Sequence, residues 1–161
     1  MAIHPVDSPI FGTLFGSDAM RAIFDERAFF ARMLEVESAL ARCQARLGII
    51  PHDAADAITR AAQPELLDAL EHELAESVRK VGYPVVAVVR ALSRAAGESA
   101  GRFTHWGATT QDILDTAAVL QVQSGLARMR QGVVAVVRAL AAQADAHRHT
   151  VMVGRTHLQH A

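Results

Sequence analysis

The sequence predicts an all-α protein, with an N-terminal helical domain followed by the start of a long-helix bundle. Three observations carry this expectation. Hydrophobic residues make up 51% of the 161 positions but aromatics only 5%, so the apolar mass is Ala, Val and Leu suited to close helix packing. Apolar residues recur at alternating spacings of three and four, the period of a helix face. Glycines and prolines such as Gly48, Pro51, Pro64, Pro84 and Gly97 fall at intervals that punctuate helices.

Taken in order, Ser17 or Asp18 opens a short helix through Phe24, and Asp25 caps the next, which runs to Leu47 and stops at Gly48. Within that helix Met33, Val36, Leu40, Cys43 and Leu47 form a three-four seam for a partner helix. Pro51 and Pro64 suit the first turns of two further helices, where a missing N–H costs nothing. Pro84 begins another helix and Gly97 closes it. Residues 98–108 read as a loop, which divides the chain into domains at residues 1–108 and 109–161.

The last helix is the longest, over residues 109–147, and at 1.5 Å per residue would extend about 58 Å. Val119, Val122, Leu126, Met129, Val133, Val136 and Leu140 keep the alternation for three heptads, the pattern of a helix packed lengthwise against near-parallel partners. Small residues such as Ala117, Ala118, Gly125, Gly132 and Ala141 allow close approach on other faces. One short chain cannot cover such a helix, so a homo-oligomer, further sequence, or both would complete the bundle.

Sixteen basic and seventeen acidic residues are interspersed, for a net charge of −1, which leaves no electrostatic footprint for nucleic acid or an anionic membrane. The single cysteine, Cys43, lies on the predicted seam and reads as a buried reduced thiol, which fits a cytoplasmic setting. The start of the chain has neither a basic run nor a sustained apolar run, and the valine-rich stretches near residues 85–89 and 133–137 are too short to span a bilayer.

The segment GRFTHWGATTQDILDTAAVLQ, residues 101–121, joins a loop of small, hydroxylic and amide residues to the start of the long helix. First-turn N–H groups lack intrahelical partners and carry the positive end of the helix dipole, so Thr109, Thr110 and Gln111 are candidates to bind a substrate carboxylate. The alternative is an ordinary cap, with Thr109 or Thr110 at the N-cap and Asp112 bonding back. His105 and Trp106 precede the Gly107 turn and are candidates for the pocket wall, a role that competes with simple packing for the indole.

A second segment, VMVGRTHLQHA, places Arg155, Thr156, His157, Gln159 and His160 within six residues, after a β-branched lead-in expected to be extended. His147 and His149 lie near the end of the long helix, where a protonated imidazole complements the dipole; neither has the neighbours a metal site needs. Together the two segments resemble the first and second signature regions of the fumarase/aspartase/adenylosuccinate lyase superfamily. Residues 8–51 with HWGATTQD resemble its lactonizing branch, the carboxymuconate cycloisomerases. The superfamily's third signature, a glycine- and serine-rich loop whose serine is implicated in proton transfer, has no counterpart here. The chain is accordingly expected to be an N-terminal portion, inactive alone.

The resemblance implies cycloisomerization of a small tricarboxylate without metal or organic cofactor, in a homotetramer whose active sites each draw signature regions from three subunits. It assigns carboxylate binding to Thr109, Thr110 and Gln111, with Arg155 and Thr156 adding bonds, or Arg155 tying the loop to the bundle. His157 matches the histidine of the second signature, which orients substrate or moves a proton, and Gln159 matches the amide two residues later. Lactonizing members are less uniform at the His157 position, so His160 stands beside it as a catalytic candidate. Adenylosuccinate lyases carry a catalytic His-Asp pair where this chain has Tyr83 and Pro84, which argues against nucleotide cleavage.

Overall fold

The computed structural model describes residues 4–160; Ala161, which ends the HLQHA run, and residues 1–3 lie outside it. Seven α-helices follow in order: α1 (Asp18–Phe24), α2 (Glu26–Arg46), α3 (His52–Ala61), α4 (Glu71–Val81), α5 (Val85–Ala96), α6 (Glu98–Gly101) and α7 (Thr110–His147). A two-stranded antiparallel ladder, β1 (Arg155–Thr156) with β2 (Gln159–His160), completes the described chain. The all-α class therefore holds, with this minimal hairpin as the one strand pairing among the described residues.

Local chemistry sets the helix ends. Ser17 accepts a hydrogen bond from the Met20 amide and Asp25 from the Ala28 amide at 2.6 Å, so both predicted caps form. Gly48 at φ +69° and Gly82 at φ +86° end α2 and α4 in the left-handed conformation that side chains resist. Pro84 and Gly97 flank α5 as expected. That helix, VVAVVRALSRAA, is rich in β-branched residues of modest helix propensity. Burial of Val85, Val88 and Leu92 on one face overrides the propensity, each such side chain contributing about 1.5–3 kcal/mol.

The chain forms two compact units, Met1–Gly125 and Leu126–Ala161. In the first, α2, α3 and α5 pack around Met33, Leu34, Ile58, Val88 and Leu92, all at most 1% exposed, with Ile113 and Ala117 of α7 joining the same core. The first turns of α7 are thus part of this unit, which extends past the residue 108/109 division. Gln121 donates to the Ile23 carbonyl at 2.8 Å and Arg32 to the Ser124 hydroxyl at 3.1 Å, so the polar groups on this part of α7 are also engaged. The second unit holds the rest of α7 and the hairpin.

Several local expectations are corrected. On α2 the buried face is Met33, Leu34, Glu37, Ser38, Ala41 and Ala45; of the predicted seam only Met33 is buried, and Leu47 is 75% exposed. Cys43 is exposed rather than buried, with Arg46 Nη2 at 3.1 Å from its sulfur. Small residues fill much of this face and of α3, where Ala54 and Ala55 are buried, and Glu37 meets His105; hydrophobicity alone registers none of these. Pro64 opens a 3₁₀ helix, Pro64–Ala69, rather than an α-helix. The predicted loop at residues 98–108 contains one α-helical turn, α6. The apolar stripe of α7, by contrast, needs no correction: from Val119 to Leu140 it is exposed in the single chain, as expected of a helix that one short chain cannot cover.

Candidate functional site at the head of α7

The head of α7 is built on a turn that α2 holds from below. His105 adopts φ +60°, a conformation costly for a residue with a side chain, and Gly107 follows at φ +69°. Two side chains of α2, seven residues apart and so on one face, grip this turn. The Glu37 Oε1 lies 2.5 Å from His105 Nδ1, and Gln44 Nε2 donates to the Trp106 carbonyl at 2.6 Å. Trp106 packs against Phe103 with ring centroids 5.8 Å apart and the rings tilted by 57°, and remains 49% exposed.

At the helix start, the Thr109 N–H donates to Asp112 Oδ2 at 2.9 Å, the return bond of a capping box. This part of the predicted anion site is therefore occupied by the chain's own carboxylate. The backbone N–H groups of Thr110 and Gln111 have no partner among the described residues, and the Gln111 side chain donates to Asp115 at 3.2 Å. The head of α7 keeps two free first-turn donors at the positive end of a 38-residue helix.

The second predicted cluster lies in the other compact unit. Register pairs Arg155 with His160 and Thr156 with Gln159, leaving His157 and Leu158 as the two-residue turn. Both have positive φ, +46° and +64°, as a type I′ hairpin turn requires. Neither is glycine or asparagine, so the sequence places an imidazole at a strained turn where an easier residue would serve. Arg155, Thr156, His157, Gln159 and His160 are all exposed. Among the described residues, the His147 and His149 side chains bond to neighbours, Thr150 and Arg148, at the end of α7.

Glu37 and Gln44 escaped the sequence reading. The available signal was a glutamate amid an otherwise apolar and small helix face. Glu37 is 1% exposed, and burial pushes its carboxyl above the ordinary 4.5, with the His105 contact pulling the other way. Between 4.5 and that raised value the folded chain keeps a proton the unfolded chain has released. The contribution of this group to stability is therefore full below 4.5 and lost as pH rises through the folded value. Glu37→Gln should show a melting temperature that gains on the wild type as pH rises from about 4.5 to 7. A difference between the two proteins that shrinks over that range would contradict this sign.

A lyase family model matches residues 15–161. The chain belongs to this lyase family, the fumarase/aspartase superfamily. Among curated relatives, the 3-carboxy-cis,cis-muconate cycloisomerase of Pseudomonas aeruginosa is 42% identical over 155 residues, covering 94% of this chain and 33% of that protein. The adenylosuccinate lyase of Methanocaldococcus jannaschii is 36% identical over 161 residues, 100% of this chain and 33% of that protein. Among solved structures, a fumarate lyase from Mesorhizobium sp. BNC1 is 54% identical with a TM-score of 0.80, over 91% of this chain and 34% of the other. The chain spans about a third of the length of the lyases it matches.

In this lyase-family chain, Tyr83 and Pro84 join α4 to α5. The Tyr83 carbonyl accepts from the Ser77 hydroxyl at 2.9 Å, and Pro84 forms the N-cap position of α5. Proline has no side chain able to exchange a proton, so these two residues cannot form an acid–base pair.

Proposed function

We propose that the whole protein is a cycloisomerase that interconverts 3-carboxy-cis,cis-muconate and 4-carboxymuconolactone, in the protocatechuate branch of aromatic degradation. The observation that supports it is the head of α7, with two free amide donors and a fixed histidine, in a chain similar over 155 residues to a cycloisomerase of that substrate. In the lactonizing direction a substrate carboxylate oxygen forms a C–O bond to one end of a carbon–carbon double bond. The displaced electron pair goes to the carbon next to another carboxylate, which then takes a proton. The intermediate is a dianionic aci-carboxylate, and fixed donors aimed at its growing charge lower the barrier.

Thr110 and Gln111 bind that carboxylate through their free amides, and the Thr109 and Thr110 hydroxyls add further bonds. Arg155 and Thr156, supplied by a different subunit of the proposed homotetramer, contribute charge-assisted and hydroxyl bonds, with Gln159 as a further amide contact. His157 or His160 moves the proton, since an imidazole has a pKa suited to exchange near neutral pH. His105 and Trp106 form the wall. No cofactor enters the scheme. Assembly is through the stripe from Val119 to Leu140, whose exposure leaves a long apolar face for other helices of a cytoplasmic homotetramer.

Ultraviolet absorbance of the conjugated diene should fall when the whole protein meets 3-carboxy-cis,cis-muconate in the presence of a chelator. Cleavage of adenylosuccinate without turnover of the muconate would replace this reading with the β-elimination one.

A further inference from the structure

The buried Glu37–His105 contact has no ready explanation in stability. A carboxylate at 1% exposure pays desolvation, and its second oxygen, Oε2, has no hydrogen-bond partner among the described residues. Replacing such a buried polar pair with neutral groups of similar shape is commonly neutral or stabilising. What the contact does accomplish is geometric. It holds the ring of a residue whose backbone sits at φ +60°, one position before the Trp106 carbonyl that Gln44 also holds, and five before the free amide of Thr110. The His105 side chain is 20% exposed, and its Nε2 makes no hydrogen bond among the described residues.

We propose that Glu37 is a positioning residue of the site at the head of α7: its carboxylate holds the proton of the neutral His105 ring on Nδ1, leaving Nε2 as a fixed acceptor toward substrate. The inference rests on the reading of that helix head as the substrate site. A carboxylate can only accept, so the ring nitrogen facing it must carry the proton, and the tautomer is set by the partner. A glutamine in the same place can turn either its oxygen or its NH2 to the ring and loses that command. The effect on substrate passes entirely through His105, which makes Glu37 silent once His105 is gone.

The test uses the whole protein with histidine labelled in its ring nitrogens and solid-state 15N NMR. His105 is identified by the signal lost in His105→Asn. The expected wild-type result is Nδ1 protonated and Nε2 bare, with that preference lost in Glu37→Gln. In kinetics on 3-carboxy-cis,cis-muconate, Glu37→Gln should lower kcat/KM by about tenfold, the effect of misdirecting one hydrogen-bonding group. The Glu37→Gln/His105→Asn double variant should be no slower than His105→Asn alone. Glu37→Leu provides a second variant with the same expected loss should the glutamine fail to fold. A bare Nδ1 in the wild type, an unchanged tautomer in Glu37→Gln, or additive losses in the double variant would overturn the inference. Failure of the wild type to turn over the muconate would sink the proposed reaction instead, and the ring signals would still decide whether Glu37 orients His105.

Discussion

Replacing His157 by asparagine in the whole protein is expected to lower turnover of 3-carboxy-cis,cis-muconate by roughly a hundredfold or more, the usual scale for losing a positioned acid or base. The side chain rides on a two-residue turn with φ +46°, a conformation in which asparagine is at ease, so the substitution leaves the hairpin intact. The loss is therefore attributable to the missing imidazole rather than to a collapsed turn. If His157 only orients substrate, KM should rise while kcat changes little. His160→Asn is the companion variant, at the second strand position beyond the turn. Unchanged kinetics in His157→Asn together with inactivity in His160→Asn would move the proton-transfer role to His160.

Gly101→Ala carries the largest expected loss of stability. A methyl group at this buried position would lie 2.2 Å from the Ser93 carbonyl oxygen and 2.7 Å from its hydroxyl oxygen. The Ser93 hydroxyl also donates to the Gly101 carbonyl at 2.9 Å, so the two helices α5 and α6 touch backbone to backbone here. Overpacking costs about 1–3 kcal/mol where side chains can yield, and more where the obstacle is main chain, so about 3 kcal/mol or more is expected. Gly132→Ala is the contrasting variant: a methyl there meets nothing within 4 Å, and alanine should stabilise that helical position by about 0.5–1 kcal/mol. Urea unfolding that places the Gly101→Ala midpoint at the wild-type value would refute the close-contact account.

Both variants bear on how much the linear chain reveals. Caps and stops were legible because their causes are local. Ser17 and Asp25 each satisfy an amide three residues ahead, and Gly48 and Gly97 supply positive φ where a helix must end. The cap at Thr109, with Asp112 returning its bond, was legible for the same reason. The buried face of α2 was not. Hydrophobic spacing pointed to Val36, Leu40, Cys43 and Leu47, whereas the face buried in the fold holds Glu37, Ser38 and Ala41, with Glu37 against His105. Small residues leave little trace in a hydrophobicity pattern although they decide how closely helices approach.

The candidate site divides along the same line. Its residue types, the threonines and glutamine at the head of α7 and the histidines of the GRTHLQHA run, stand in the sequence as short contiguous motifs, because each is presented by one local turn. Helix class, caps, punctuation and family membership were determined by the sequence alone, since each depends on neighbours within a few positions or on a contiguous match. Only the tertiary structure decided that Glu37 and Gln44 hold the His105–Trp106 turn and that Gly101 abuts Ser93. The side-chain contacts join residues 68 and 62 positions apart, and the glycine contact depends on the path of two backbones. Neither separation nor path is encoded in any local period of the chain; both are set by the packing that buries the core.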